Sequence, residues 1–260
     1  MRILIFLIFA ISHPIFAQKV EVLPLDSISL KAEKFIGVDK YKNLYTTTGA
    51  VLYKNNAEKT LQFSDIQLGA ITSVDIINPL RITLFYQDFN TAVILDNTLN
   101  EITRVDFNKL EEYRNVSFAR TANDRQLWVF NIDLQQLELF NYRTNTVKTV
   151  SPPIKNRIVT AATNFNYCWL VTPDFILQYN SYGSLVSKFK NVRLNALIEN
   201  NENLLGLSAD DLFYKKKNSE NFAQLNITTN DVKQFYWTGE ILYLYSRGNL
   251  TTYQLKLPKI

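Results

Sequence analysis

Gln126-Leu127-Trp128-Val129, followed by Leu137-Glu138-Leu139-Phe140-Asn141 and then Val147, is the stretch that decides the fold. Each run is short, rich in large apolar and β-branched side chains, and bounded by polar turn formers, which marks strands and not helices. The first run recurs along the chain as a polar or turn residue followed by large apolar ones. It appears as Asn43-Leu44-Tyr45, Arg81-Ile82-Thr83-Leu84, Tyr167-Cys168-Trp169-Leu170, Asn203-Leu204-Leu205 and Glu240-Ile241-Leu242-Tyr243. Taken at Leu44, Ile82, Leu127, Cys168, Leu204 and Ile241, the spacings are 38, 45, 41, 36 and 37 residues. The sequel recurs too: Val93-Ile94-Leu95-Asp96 leads into Ile102, and Ile176-Leu177-Gln178-Tyr179-Asn180 leads into Leu185.

A period near 40 with about four strands per unit predicts a β-propeller blade. One such blade has two apolar faces and cannot bury them alone; radial stacking buries each face against a neighbour. The blades read as Phe35–Phe63, Ala70–Phe107, Val116–Val150, Arg157–Lys190, Val192–Ile227 and Val232–Leu257. The sixth lacks a full outer strand, and the strand-like Val20-Glu21-Val22-Leu23-Pro24-Leu25 has no blade of its own. The expectation is therefore an all-β, six-bladed β-propeller closed by an N-terminal strand, which removes an exposed edge. An outer-membrane barrel would need longer, strictly alternating strands, and a pair of sandwiches would show no six-fold recurrence. Asn108 to Arg114 is the one stretch with a helical reading, and it is short enough to be a turn instead. Only seven Gly are present, but 27 Asn are available for turns, left-handed positions included.

Composition narrows the chemistry. The 260 residues are 47% hydrophobic and 20% charged, an ordinary globular balance. One Cys excludes a disulfide framework and any multi-cysteine metal site. Cys168 lies in an apolar strand run and reads as a buried small hydrophobe. The single His is His13. It falls in an N-terminal segment that reads as a secretory signal: Arg2, the apolar run from Ile3 to Ala10, and Ala17 before a cut, giving a signal peptide over 1–17 and a single propeller domain over 18–260. As a membrane anchor this run is too short, broken by Ser12, His13 and Pro14. The processed chain would have no imidazole, which excludes Ser-His-Asp and Cys-His catalysis and His-ligated metals. Without Arg2, the 28 Lys+Arg fall to a net charge of +3 against 24 Asp+Glu, too small an excess to indicate nucleic acid. Lys215-Lys216-Lys217 reads as a solvated hairpin tip. No Cys follows the apolar run to carry a lipid anchor, and no motif requires a cofactor or metal.

In period and strand order the chain from Phe35 onward resembles β-propellers of the broad NHL, WD40 and PQQ-like classes, without the Trp-Asp and Gly-His signatures of WD40 blades or a kelch double glycine. The Phe16-Ala17-Gln18 end of the signal and the Asn/Lys/Ile-rich body resemble exported proteins of Gram-negative bacteria that use type IX secretion. The chain runs to Leu255-Lys256-Leu257-Pro258-Lys259-Ile260 just past the last blade strand, with no C-terminal sorting domain of secreted cargo. The resemblance thus implies a resident of the periplasm or outer-membrane periphery. Asp26-Ser27-Ile28 also resembles a short O-glycosylation motif of some of these bacteria.

The candidate site residues follow from the repeat. An Asp recurs between the second and third strands of several blades: Asp88, Asp133, Asp174 and Asp210. These loops share one face and are expected to ring the channel opening, as a cation site or acidic docking face; alternatively each Asp caps its own turn. Phe89 and Phe175 follow two of them, either exposed on that face or plugging the blade tops. Trp128 and Trp169 occupy equivalent strand positions and read as interblade core. Trp237, at a strand end, reads as the surface aromatic, a partner hot spot or sugar platform. The leading functional expectation is a non-catalytic protein-interaction module of the cell envelope, docking one partner through one face, as an accessory of an outer-membrane or type IX secretion assembly. A carbohydrate- or ligand-binding propeller is the alternative. A glycoside hydrolase built on paired carboxylates comes third, because no local sequence singles out an acid and a nucleophile.

Overall fold

The computed structural model describes residues 20–123, 125–209, 211–227, 229 and 231–257. Six four-stranded antiparallel sheets follow one another along the chain. Blade 1 comprises Lys34–Val38, Leu44–Thr48, Val51–Asn55 and Thr60–Ser64; blade 2, Ser73–Asp75, Ile82–Tyr86, Thr91–Leu95 and Glu101–Asp106; blade 3, Val116–Thr121, Gln126–Asn131, Gln136–Asn141 and Thr146–Val150. Blade 4 comprises Thr160–Thr163, Tyr167–Val171, Phe175–Asn180 and Leu185–Lys190; blade 5, Ala196–Asn200, Asn203–Ser208, Asp211–Lys215 and Ala223–Gln224. Blade 6 is Val232–Thr238, Ile241–Ser246 and Asn249–Lys256, completed on its outer edge by Glu21–Ser29. The six-bladed propeller and its closure by an N-terminal strand are both present as the repeat predicted.

Burial follows position within the blade. The second and third strands lie between neighbouring blades and are covered on both faces: every residue of Ile82–Tyr86 and Thr91–Leu95 is buried. Strands covered on both sides read as near-continuous apolar runs. The outer strands Thr60–Ser64 and Thr146–Val150 alternate between half-buried and exposed side chains. Six apolar clusters result, one per interblade seam. Trp128 packs with Cys168 and Leu170 of the next blade, and Trp169 with Leu194 and Leu204 of the one after. Each large apolar side chain so buried contributes about 1.5–3 kcal/mol. Burial also pushes the Cys168 thiol well above the ordinary thiol range, so it is the inert core residue its sequence context indicates.

The turns are built by side chains as much as by backbone. Asn56, Asp96, Asn141 and Asn180 end the third strands of blades 1 to 4, and each accepts two amide hydrogen bonds from the turn that follows, as Asp96 Oδ1 does from Thr98 and Asn100 (2.8 and 2.9 Å). This is the Asx-turn chemistry for which Asn and Asp are suited. Left-handed positions fall to Asn90, Asn145, Asn201 and Asn218, but also to Lys42, Arg125 and Gln135. One sequence reading is resolved and another corrected. Of the two readings of Asn108–Arg114 the structure takes the turn and not the helix: Asp106 caps Asn108, and Arg114 is drawn into a buried pair with Glu138 (2.9 Å). Lys215 is buried at the end of a strand, its ammonium 4.4 Å from the Phe189 ring centroid, so only Lys216 and Lys217 belong to the solvated turn.

Ring closure rests on the pairing of Glu21–Ser29 with Asn249–Lys256, which runs from Glu21↔Lys256 to Ser29↔Asn249. Pro24, which has no N–H to donate, sits in this outermost strand beside an irregularity in register, where its loss is tolerated. The closing seam between blades 6 and 1 has the smallest buried cluster: Phe35, Val38, Tyr245 and Leu250. It is reinforced by polar contacts. The Tyr245 hydroxyl donates to the Ala32 carbonyl (2.6 Å), and Leu30 N–H donates to Gly248 (2.8 Å). Ser27 and Thr251 face each other across the closing pair with their hydroxyls 3.1 Å apart. A Ser27→Cys/Thr251→Cys double variant should therefore oxidise to a disulfide and raise the melting temperature reversibly with reductant. The chain-entropy estimate for so long a loop is about 5 kcal/mol. Failure to cross-link under oxidation would show that this strand does not close the ring.

Candidate functional site

A four-stranded meander divides its loops between two ends. The upper face carries the loops between second and third strands and the connections between blades; the lower face carries the other hairpins. Asp88, Asp133 and Asp174 all lie on the upper face and are exposed. Asp210 lies outside the described residues. Asp88, Asp133 and Asp174 do not line the channel or its mouth. First strands build the channel wall, so a loop after the second strand stands over the middle of its blade. Nor is Asp133 a turn cap: its Oδ1 accepts from Asn115 Nδ2 (3.0 Å), while Asn131 Oδ1 caps the amides of Asp133 and Leu134.

Phe89 is 47% exposed, while Phe175 is half-buried against the blade 3–4 cluster, under Lys188 Nζ at 3.8 Å from its ring centroid. Of the two, only Phe89 is free to meet a partner. Trp237 is the clearest correction: it is 2% exposed and lies near the lower end, edge-on to Tyr214 with centroids 6.0 Å apart. The end of a first strand is enclosed by the neighbouring blade, so its side chain joins the blade 5–6 seam.

The upper face also carries apolar side chains that the repeat did not mark. Ile66, Tyr113, Ile132 and Leu134 are exposed in the loops of blades 2 and 3, beside Phe89. Exposed Asp88, Glu111, Glu112 and Asp133 lie in the same loops. Arg114 of that sector is paired with Glu138 and with Glu112 (2.9 Å each), and Lys109 is paired with Asp106 (3.0 Å), which among the described residues leaves Asp88, Glu111 and Asp133 as the carboxylates without a cation. The sector is thus apolar with an acidic margin. Ile132-Asp133-Leu134 carries the one sequence signal available, two large aliphatics in a hairpin tip where packing requires neither.

The channel is a cavity of about 320 Å³ between the first strands, opening below into a mouth of about 400 Å³. Ile76, Ile77, Glu199 and Tyr236 line both. Tyr236 lies against Gly37 of blade 1, where an added Cβ would come within 2.6 Å of its ring. Glu199 Oε2 accepts from Asn164 Nδ2 (3.0 Å) and the Glu202 amide (3.1 Å). Burial raises the Glu199 carboxyl above its ordinary range, and the charges of Glu202 and Asp75 push the same way, against those two hydrogen bonds. Burial, then the charges of Asp75, Asp39 and Glu199, raise the Tyr236 phenol.

The chain is a six-bladed β-propeller. No family model matches it, and no curated protein does. Among solved structures it is similar to the WD40 repeats of RRP9 (TM-score 0.66, 9% identity, 91% of this chain and 100% of that one). It is similar to virginiamycin B lyase from Staphylococcus aureus (TM-score 0.62, 8% identity, 92% and 100%). It is also similar to PorZ of Porphyromonas gingivalis (TM-score 0.51, 13% identity), covering 87% of this chain and 34% of PorZ, so it spans about a third of that protein. At such identities the likeness is one of fold.

Two outcomes follow from the channel geometry. Gly37→Ala forces Tyr236 off the wall and should lower stability by about 1–3 kcal/mol in denaturant titration; an unchanged midpoint would contradict the close approach. A raised carboxyl pKa means that the stability due to Glu199 is present below the ordinary range near ~4.3 and is lost as pH rises through its folded value. Glu199→Gln should therefore gain melting temperature relative to the parent between pH 4 and pH 7. A gap that does not change with pH would contradict this.

Proposed function

We propose that this chain is an exported, non-catalytic interaction module of a bacterial envelope, docking a protein partner through the upper face of blades 2 and 3. The carrying observation is the gathering of exposed Phe89, Leu134, Ile132, Ile66 and Tyr113 in the loops of two adjacent blades. An apolar centre with a polar margin is the ordinary anatomy of an interface. The acidic margin, Asp88, Asp133 and Glu111, selects a partner segment that mixes apolar and basic side chains. Asp174 and Phe175 of blade 4 flank this sector.

Export is supported by the Arg2, Ile3–Ala10 and Ala17 pattern of the N-terminus. An envelope setting is supported by likeness to PorZ, described as an essential bacterial surface component of the type IX secretion system. A scaffold role agrees with the likeness to WD40 domains. Against a lyase-type reaction, the Staphylococcus aureus enzyme has a catalytically inactive His-to-Ala variant, and this chain's one histidine is His13, in its N-terminal targeting segment.

The test is recovery of partners by tagged protein from gently solubilised native envelopes, compared with a Phe89→Ser/Leu134→Ser variant. A stoichiometric partner is expected with the parent and at least ten-fold less with the variant, whose melting temperature should stay within about 2 °C because surface substitutions cost little. Equal recovery by both would move the interface elsewhere, and recovery of the protein alone after cross-linking would count against the scaffold reading.

A further inference from the structure

The lower mouth of the channel differs in chemistry from the docking face, and its polar groups are incompletely used. Trp237 is 2% exposed, lines the mouth, and its Nε1–H has no acceptor. Both hydrogen bonds to Glu199 fall on Oε2, leaving Oε1 as a spare acceptor at the junction of channel and mouth. Further in, Arg120 Nε and Gln234 Oε1 are buried donor and acceptor atoms without partners, on blades 3 and 6. A buried polar group left unpaired costs about 1–3 kcal/mol, so three such atoms along the channel and its mouth, with Glu199 Oε1 between them, mark a place where something polar belongs.

The charges identify what kind of ligand this is. Asp39 is consumed by Asn43, Tyr45 and the Tyr41 amide, and Asp75 by the amides of Ile77 and Thr121. Glu202 is paired with Lys217 (2.7 Å). Lys40, Arg120 and Lys233 bring positive charge against that of Glu199, whose carboxyl burial already biases toward the neutral form. Neither a cation nor a strong anion is selected. The wall between the polar groups is apolar and partly aromatic: Ile76, Ile77, Pro79, Tyr236 and Phe165, the last 39% exposed. Spare donors and acceptors interspersed with flat apolar surface match a molecule whose hydroxyls both give and accept hydrogen bonds and whose C–H faces are apolar. The volume is that of ordinary small-ligand sites, about 300–1,000 Å³.

We propose that the lower channel mouth binds a neutral saccharide, with a sugar hydroxyl accepting from Trp237 Nε1–H and another hydrogen-bonded to Glu199 Oε1, and with Phe165 against a sugar face. This does not rest on the docking function, which uses the opposite face.

The test is saturation-transfer NMR and tryptophan fluorescence of the full mature chain with cellobiose, maltose and diacetylchitobiose as probes, and with calcium and choline as charged controls. At least one disaccharide should bind. Trp237→Phe, which keeps the ring and removes the N–H, and Glu199→Gln should each weaken it about ten-fold. Phe165→Ala, at a half-open position that folding tolerates, should weaken it as well, and Ile102→Thr on an outer strand should leave it unchanged. No binding by any of the three disaccharides overturns the proposal. So does binding that survives all three mouth variants, or a response confined to calcium or choline.

Discussion

The whole ring depends on the pairing of Glu21–Ser29 with Asn249–Lys256. Each blade buries its two faces only against its neighbours, so the six seams are interdependent and an open ring would leave two faces and a strand edge in water. The seam that the last pairing completes is also the one with the smallest apolar cluster. Hydrogen bonding makes up part of that difference: Tyr245 holds the turn at Ala32, and Gly248 holds Leu30, so the link between closing strand and blade 1 is pinned at both ends. Contacts such as Ser27 to Thr251 join residues 224 apart, the kind of non-local closure that is entropically costly and slow to form.

The architecture was legible because a propeller writes the same requirement six times. Second and third strands are buried on both faces, and such runs as Leu84-Phe85-Tyr86 and Val93-Ile94-Leu95 stand out against alternating outer strands. Asx turns repeat with them, so Asp96, Asn141 and Asn180 served as markers of blade position. The errors came where local sequence is ambiguous about its tertiary neighbour. Trp237 stands at a strand end beside Thr238-Gly239, which suggests a loop; only the adjacent blade, packing Tyr214 against it, makes it core. Lys215 belongs to a basic triplet by sequence and to the Phe189 ring by fold.

The sites were less legible than the fold for the same reason. The repeat assigns Asp88, Asp133 and Asp174 to one class of loop, because loop class follows from strand order. It could not place them radially, since distance from the axis depends on which strands the loop joins and how the blade tilts. Ile66 and Tyr113 carry no periodic signature at all: an exposed apolar residue in an interblade connection looks like any other loop residue. Glu199 and Tyr236 were hidden because first strands are the least regular part of the repeat, here interrupted by register shifts such as that between Phe35 and Gly37.

Radial geometry then divides the work between the ends of the molecule. A protein partner needs on the order of 800 Å² per side, and only loops standing over the middle of adjacent blades offer that width; in blades 2 and 3 they also offer the apolar centre. The channel mouth cannot provide such area, but residues at the ends of first strands from five of the six blades converge on it, and convergence is what enclosing a small polar molecule requires. Both ends are fixed by packed seams and not by their own loops, which limits the ordering entropy lost on binding. A rigid ring can therefore hold one kind of ligand at its mouth and another across its upper face without either site needing the other.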